Sequence, residues 1–169
     1  MPTAARMRRL GQQLAALLRP GDLVVLTGPL GAGKTTLVQG IGEGLGVRGP
    51  VTSPTFVIAR VHPPAGGSGP ALVHADAYRL GSRAEVDDLD LDADLDRSVT
   101  VVEWGEGLVE GLADSHLEIT ITMDPPAADG ETADRGDEPR TVRVAARGER
   151  WEAAGESVRL ALLDGAEVL

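Results

Sequence analysis

The sequence contains no cysteine and very few aromatic side chains, with one phenylalanine, one tyrosine and two tryptophans in 169 residues. The absence of cysteine excludes disulfide bonds, thiolate nucleophiles and cysteine-ligated zinc. Only three histidines remain, and no two lie at the helical spacing of a zinc site. The chemistry of this chain must therefore be carried by oxygen ligands, the backbone and a few charged side chains.

Positive charge and long apolar runs are also scarce. The formal net charge of −10 argues against broad electrostatic binding of nucleic acid, so we expect any role near RNA to run through a protein partner. No apolar stretch approaches the roughly 20 residues of a membrane-spanning helix, so no membrane association is expected. We expect a cytoplasmic protein.

Lysine is the rarest basic residue, because Lys34 is the single lysine among 16 basic side chains and the others are arginine. It lies in the octapeptide Gly28-Pro29-Leu30-Gly31-Ala32-Gly33-Lys34-Thr35, which matches the G-x-x-x-x-G-K-[ST] phosphate loop. The compact ammonium of lysine suits contact with a phosphate. The sequence therefore predicts binding of a nucleoside triphosphate.

The apolar pattern predicts the setting that this loop requires. Spacing of three and four residues predicts a helix over Thr3–Leu18, and an unbroken apolar run predicts a buried strand at Leu23–Leu26. A helix follows the loop at Thr35–Leu45. Further strands are predicted at Phe56–Val61, Leu72–Ala75, Val99–Glu103, Leu117–Met123 and Thr141–Ala146, with helices at Arg83–Leu89, Glu106–Leu112 and Glu152–Leu163.

This order of elements predicts one α/β domain of the P-loop NTPase class over residues 1–169, with a core at about 3–148 and a closing C-terminal helix. The sheet should be mixed and mostly parallel, flanked by helices, with an antiparallel edge. Two segments rich in proline, glycine and charge, Pro63–Pro70 and Asp124–Pro139, are predicted to be loops that join paired strands.

The phosphate loop itself gives the first site residues. Gly28, Gly31 and Gly33 allow the backbone amides to approach phosphate oxygens, and the following helix directs its positive end at them. Lys34 should contact the β- and γ-phosphates, and the Thr35 hydroxyl should bind Mg²⁺.

Two carboxylates compete for the remaining metal and catalytic roles. Asp76 and Glu103 each end an apolar run, so both should lie at the carboxyl ends of strands, where open α/β sheets bind ligands. One could hold the ion and the other could orient the attacking water, and the residues alone do not assign these roles. His74 and His116 are interpreted as strand residues rather than ligands.

The acidic tract Glu85–Asp96 has aspartates at alternate positions but does not match a calcium loop, because Ala93 or Leu95 stands where glycine is needed. A solvated acidic face is expected, with a docking surface for a basic partner as the alternative. ATP is favoured over GTP because the guanine-reading Asn-Lys-x-Asp element needs a second lysine.

Beyond the phosphate loop, three motifs occur in order: Ser53-Pro54-Thr55-Phe56, His74-Ala75-Asp76-Ala77-Tyr78-Arg79 and Glu103-Trp104. Together they resemble the bacterial TsaE family, small ATPases of threonylcarbamoyladenosine (t6A) synthesis on tRNA, over roughly residues 10–148. The family usually carries a threonine near the adenine before Leu10-Gly11, whereas this chain has Met7.

The resemblance implies a set of roles for the residues that match the family's motifs. Glu103 would help to hold Mg²⁺, Asp76 would be needed for hydrolysis, and Ser53 and Thr55 would belong to a switch beside the γ-phosphate. Trp104 would lie close to the site, and Arg140 would touch the nucleotide. The residues implied to bind ATP in the loop are Gly31, Ala32, Gly33, Lys34, Thr35 and Thr36.

The resemblance further implies a slow Mg²⁺-dependent ATPase whose nucleotide state gates a complex with TsaB and TsaD. One alternative is a small-molecule kinase with Asp76 as base and Arg79 or Arg83 as phosphate clamps. Another is a nucleotide-binding module without catalysis.

Overall fold

The computed structural model describes residues 4–91, 93–123, 140–154 and 167–168. Its helices are α1 (Ala4–Ala15), α2 (Lys34–Leu45), α3 (Arg83–Asp87) and α4 (Glu149–Glu152). Its strands are β1 (Leu23–Thr27), β2 (Ala59–His62), β3 (Ala71–Asp76), β4 (Ser98–Glu103), β5 (His116–Met123), β6 (Arg140–Arg147) and β7 (Glu167–Val168).

The strands form one mixed sheet in the order β2-β3-β4-β1-β5-β6-β7. The central strands β3, β4, β1 and β5 are parallel, whereas β2 and β6 run antiparallel to their inner neighbours. The predicted mixed sheet is confirmed, and the antiparallel pairing expected at one edge occurs on both sides. Because β1 lies between β4 and β5, the phosphate loop leaves the sheet at its centre, beside the carboxyl end of β4.

Two apolar layers cover the sheet. Strand side chains alternate between faces, so Val24 and Leu26 of β1 pack with α1 and α2, whereas Leu23 and Val25 pack on the opposite layer with Val86 of α3. Both layers are closed to solvent at these positions. The predicted core strands are confirmed within two residues at each end, except for the segment that begins at Phe56.

Helices α1 and α2 approach closely enough that side chains are excluded at their crossing. A Cβ atom at Gly11 would meet the Leu37 carbonyl oxygen, and one at Gly40 would meet the Arg8 carbonyl oxygen, both closer than real Cβ contacts allow. The two glycines therefore allow α1 to pack directly against α2, whose first residue is Lys34.

The first helix ends at Ala15, three residues before the predicted end, and two predicted elements in the middle of the chain differ from the structure. Residues 56–58 form a turn instead of the start of a strand, since the Pro54 carbonyl accepts hydrogen bonds from the amides of Val57 and Ile58 at 2.8 and 2.7 Å. The helix predicted at Glu106–Leu112 is wrong: this segment has turns and one short 3₁₀ turn at Glu110–Leu112. Glycines interrupt it, and Gly107 has a φ of 80°, which a helix cannot accommodate.

Helix α4 packs near the C-terminal end of α1. Trp151 is fully buried in the core with α1 and α2 residues, and Arg150 donates to the Leu17 carbonyl at 2.9 Å and to Asp22 Oδ2 at 3.2 Å. The closing helix predicted at Glu152–Leu163 does not begin there, because α4 ends at Glu152 and residues 153–154 form a turn. Its positions from 155 onward lie outside the described residues, as does the Asp124–Pro139 loop. Within the described part, no helix combines the length and the hydropathy needed to cross a membrane.

Candidate nucleotide-binding site

The phosphate loop connects β1 to α2 through a backbone that only glycine adopts easily. Gly31 and Gly33 have φ angles of 81° and 104°, and Gly33 is the residue that caps the start of α2 without a side-chain hydrogen bond. The first amides of α2 therefore have no capping side chain and no acceptor within the helix, and the helix dipole favours an anion beside them.

The Lys34 side chain lies folded along this loop. Its Nζ donates to the carbonyl oxygens of Gly28 and Pro29 at 2.7 and 3.0 Å, and it lies 3.9 Å from the ring centroid of Trp104. Burial lowers the pKa of Lys34, and the nearby carboxylates of Glu103 and Asp76 act in the opposite direction. The single lysine is thus a buried cation between two buried acids, each at most 5% exposed.

Glu103 is bound to the start of α2 through one oxygen. Thr35 Oγ1 donates to Glu103 Oε1 at 2.9 Å, and His74 Nε2 lies 2.9 Å from the same oxygen. The β3–β4 register places Asp76 directly opposite Glu103, and β1 pairs Leu26 with Glu103 on the other side. Both predicted carboxylates therefore lie at strand ends beside the loop, as the sequence indicated.

Asp76 is held by the segment 53–58 from two directions. Thr55 Oγ1 donates to Asp76 Oδ2 at 2.5 Å, and the Asp76 amide donates to the Ile58 carbonyl at 2.8 Å. The hydroxyl oxygens of Ser53 and Thr55 lie 2.7 Å apart, and the Tyr78 amide donates to Asp76 Oδ1 at 3.0 Å. Both oxygens of this carboxylate are therefore oriented by neighbours. The switch role beside the γ-phosphate that the resemblance implies for Ser53 and Thr55 stays a prediction.

Trp104 follows Glu103 in a strained backbone conformation. Its φ of 61° is unusual for a large side chain and is worth about 1–3 kcal/mol of strain. The Trp104 amide donates to the Leu26 carbonyl at 2.8 Å, and the indole packs against Tyr78 with ring centroids 5.2 Å apart. These contacts hold the indole over Lys34.

The predicted residues surround a cavity of about 240 Å³ at the mouth of the loop. Leu30, which the sequence did not single out, completes its wall. The predicted residues that line it are Gly31, Gly33, Lys34, Thr35, Thr36, Ser53, Thr55, Asp76, Glu103 and Trp104.

A second pocket of about 120 Å³ shares three of these residues, Gly31, Gly33 and Thr36. Ala32, Arg140, Ala4 and Met7 form the rest of its lining. The predicted residues Ala32 and Arg140 thus line a pocket that lies at the N-terminal end of α1 and is not lined by the two carboxylates. Gly28 takes part through its carbonyl oxygen, which accepts from Lys34.

The donor set fits Mg²⁺ bound together with a nucleotide. Thr35 and Glu103 offer a hydroxyl and a carboxylate oxygen 2.9 Å apart on the cavity wall. Among the described residues, no cluster of three or more His, Cys, Asp or Glu side chains could hold an ion alone. Mg²⁺ at phosphoryl-transfer sites typically takes one or two protein ligands and completes its shell with phosphates and water.

The arginines of the kinase alternative lie outside this cavity. The Arg79 guanidinium stacks on the Phe56 ring at 5.3 Å, and Arg83 Nε donates to the Gly107 carbonyl at 3.4 Å. In the acidic tract, Asp88, Asp90 and Asp94 are exposed, which agrees with the predicted solvated face; Asp92 lies outside the described residues.

Comparison with known proteins assigns the family. The family described as "Threonylcarbamoyl adenosine biosynthesis protein TsaE" matches residues 1–130 of the chain. The chain belongs to the TsaE family. It is 60% identical over 153 residues to the tRNA threonylcarbamoyladenosine biosynthesis protein TsaE of Streptomyces coelicolor, an alignment that covers 90% of this chain and 98% of the relative.

More distant TsaE proteins give the same result. The TsaE of Mycobacterium tuberculosis is 54% identical over 67% of this chain and 68% of its own length, and that of Bacillus subtilis is 38% identical over 82% and 78%. The crystal structure of Bacillus subtilis YdiB superposes with a TM-score of 0.65 at 28% identity, covering 95% of this chain and 91% of that one. The resemblance that the three sequence motifs carry is confirmed, and the fold is that of a P-loop protein.

Proposed function

We propose that this TsaE-family chain is a Mg²⁺-dependent ATPase of tRNA threonylcarbamoyladenosine biosynthesis, acting in the cytoplasm. The observation that carries the proposal is the convergence of Lys34, Thr35, Asp76 and Glu103 on one cavity at the N-terminus of α2. A buried cation, a hydroxyl and two separate carboxylates at a phosphate loop are the parts that γ-phosphoryl transfer to water needs.

In this proposal each side chain has one task. The loop amides and Lys34 bind the triphosphate, with the ammonium moving from the Gly28 and Pro29 carbonyls to the β- and γ-phosphates. Thr35 and Glu103 hold Mg²⁺, which when bound neutralises phosphate oxygens. Asp76, oriented by Thr55 and the Tyr78 amide, accepts a proton from the attacking water or positions it in line.

The second pocket is proposed to take the adenine. Ala32 and Arg140 line it together with Met7, and it adjoins the phosphate cavity across Gly31, Gly33 and Thr36. A thioether and a guanidinium can both pack on the face of a purine. The nucleotide would thus extend from the carboxylates across the loop to the N-terminal end of α1.

Hydrolysis is proposed to gate a complex with the TsaB and TsaD proteins, with tRNA reached only through them. Among the described residues, the cavity is lined by one cation, Lys34, so turnover by the isolated chain should be slow, on the order of the 10⁻⁴–10⁻² per second of unassisted switch NTPases. Phosphate release should be measured for the chain alone and with both partners. Acceleration by the partners is expected, and unchanged turnover in the assembled complex contradicts the gating.

A binding module without catalysis is distinguished by Glu103→Ala. If Glu103 holds the ion, this variant loses both the Mg²⁺ enhancement of ATP binding and the turnover. Binding is measured by titration calorimetry and turnover by released phosphate. A variant that binds Mg²⁺-ATP and hydrolyses it as the native chain does contradicts the proposed ATPase site.

A further inference from the structure

His74 is the one histidine whose ring contacts a proposed ligand of Mg²⁺. Its side chain is fully buried, Nε2 lies 2.9 Å from Glu103 Oε1, and Nδ1 has no hydrogen-bond partner among the described residues. A carboxylate only accepts hydrogen bonds, so Nε2 is the donor. The imidazole thus makes a single side-chain hydrogen bond in the described structure, and that bond ends on Glu103.

The sheet explains how this contact arises. Positions two apart on a strand share a face, so His74 lies on the same face of β3 as Asp76, directed toward the layer of α2. In the β3–β4 register His74 is opposite Val101, two residues before the Asp76–Glu103 pair on each strand. Glu103 Oε1 is therefore contacted by the His74 ring from β3 and by the Thr35 hydroxyl from α2.

The energetics favour a positioning role over simple packing. Burying a polar group without a partner disfavours folding by about 1–3 kcal/mol, and the Nδ1 of His74 is such a group. An apolar residue in its place would avoid that penalty. What the imidazole adds is a donor, which together with the Thr35 hydroxyl removes the rotational freedom of a glutamate side chain.

We propose that His74 is a positioning residue: its Nε2–H holds Glu103 Oε1 against Thr35 and thereby sets how strongly Mg²⁺ promotes nucleotide binding. Groups that orient metal-ligand side chains commonly change metal affinity by about 10–100-fold when they are lost. The Mg²⁺ effect rests on the proposed function, whereas the His74–Glu103 contact does not depend on it.

The test compares matched variants by calorimetry with a non-hydrolysable ATP analogue, in excess Mg²⁺ and in excess chelator. The ratio of the two dissociation constants is the Mg²⁺ enhancement. His74→Leu and His74→Asn, which lack a donor at the Nε2 position, should reduce this ratio at least about tenfold. His74→Gln, whose amide nitrogen reaches the Nε2 position, should retain it within about threefold.

Glutamine and asparagine differ by one methylene, so this pair keeps the test decisive if the leucine variant fails to fold. His116→Leu is the control for removing a buried histidine, since His116 lies on β5 and its ring bonds Glu118 instead of Glu103; its ratio should be unchanged. A native ratio in folded His74→Asn, or a loss as large in His74→Gln as in His74→Asn, overturns the proposal.

A second measurement examines the contact without nucleotide. In the native chain with ¹⁵N-labelled histidine, NMR should show a protonated Nε2 at His74, and Glu103→Gln should shift that resonance while the resonances of His116 stay in place. If His74 is insensitive to Glu103→Gln, the proposal is overturned. If the native chain shows no Mg²⁺-dependent binding, the proposed function fails, and this NMR comparison alone decides the role of His74.

Discussion

Thr55 donates a hydrogen bond of 2.5 Å to Asp76 Oδ2, so a residue of the segment that follows α2 fixes an acid at the end of β3. Segment 53–58 also bonds to the Asp76 backbone, through the Ile58 carbonyl at 2.8 Å. A ligand that moves Thr55 therefore acts directly on Asp76. In the proposed mechanism, this coupling makes Asp76 the residue through which the nucleotide state of the loop would reach the chemical step.

Asp76→Asn should lower ATP turnover by about 10²–10⁴-fold, because proton transfer by a positioned group contributes that much. ATP affinity should stay within about threefold, since Lys34 and the loop amides are untouched. Single-turnover phosphate release and calorimetry measure the two quantities. Thr55→Ser keeps the hydroxyl and serves as the control with near-native turnover. Full activity in Asp76→Asn would remove this residue from the mechanism.

Lys34→Ala should weaken ATP binding at least about tenfold while the fold is retained, because the ammonium is the one lysine cation the chain can offer to the phosphates. Circular dichroism checks the fold and calorimetry the affinity. Lys34→Arg is the matched comparison: its planar fork does not replace a compact ammonium, so it should restore binding only in part. Undiminished ATP affinity in folded Lys34→Ala would contradict the site.

The stability of the chain should depend on pH through His62. Burial lowers the pKa of His62 below its ordinary 6.5, and His74 and Arg60 lower it further. Between the lowered pKa and 6.5 the unfolded chain binds more protons here than the folded chain, so the free energy of unfolding falls as pH falls through this window. Above 6.5 the imidazole is neutral in both states and contributes nothing.

The prediction is a difference in slope between the native chain and His62→Leu. As pH falls below neutrality, the native free energy of unfolding should drop more steeply, by up to about 1.4 kcal/mol per pH unit for one proton. Urea denaturation at a series of pH values measures both slopes. Parallel curves for the two proteins would show that His62 does not titrate differently on folding.

Gly40→Ala should destabilise the fold by about 1–3 kcal/mol, although alanine favours helices by about 1 kcal/mol over glycine. The added methyl group would meet the Arg8 carbonyl oxygen of α1, and backbone cannot move aside as a side chain can. Gly111→Ala is the control, because open space surrounds that position and its change should stay within about 0.5 kcal/mol. Equal midpoints in urea would contradict the close crossing of α1 and α2.

Sequence reasoning located the phosphate loop and the two carboxylates because their signals are local. The octapeptide that ends at Thr35 is contiguous, and Asp76 and Glu103 each end an apolar run that a parallel sheet brings to one edge. The sheet and family interpretations follow from such patterns and are confirmed. The roles of the individual site residues stay predictions.

The contacts that complete the site depend on register, which a single sequence does not reveal. The contact of His74 with Glu103 needs the exact alignment of β3 with β4. The feature of the sequence that could have indicated this contact is the two-residue spacing from His74 to Asp76, which puts both side chains on one face of β3. The turn at residues 56–58 was missed because Phe56, Val57 and Ile58 have strong strand propensity, yet Phe56 is 86% exposed and the Pro54 carbonyl closes a turn there.

The stacking of Lys34 on Trp104 also has an optical consequence. A ligand that draws the ammonium toward its phosphates must change the electric field at that indole. Trp151, the other tryptophan, is sealed in the interior and supplies a constant background. If the loop binds a nucleotide as proposed, the chain carries its own ultraviolet reporter of loop occupancy, and no dye or label is needed to follow the nucleotide entering or leaving.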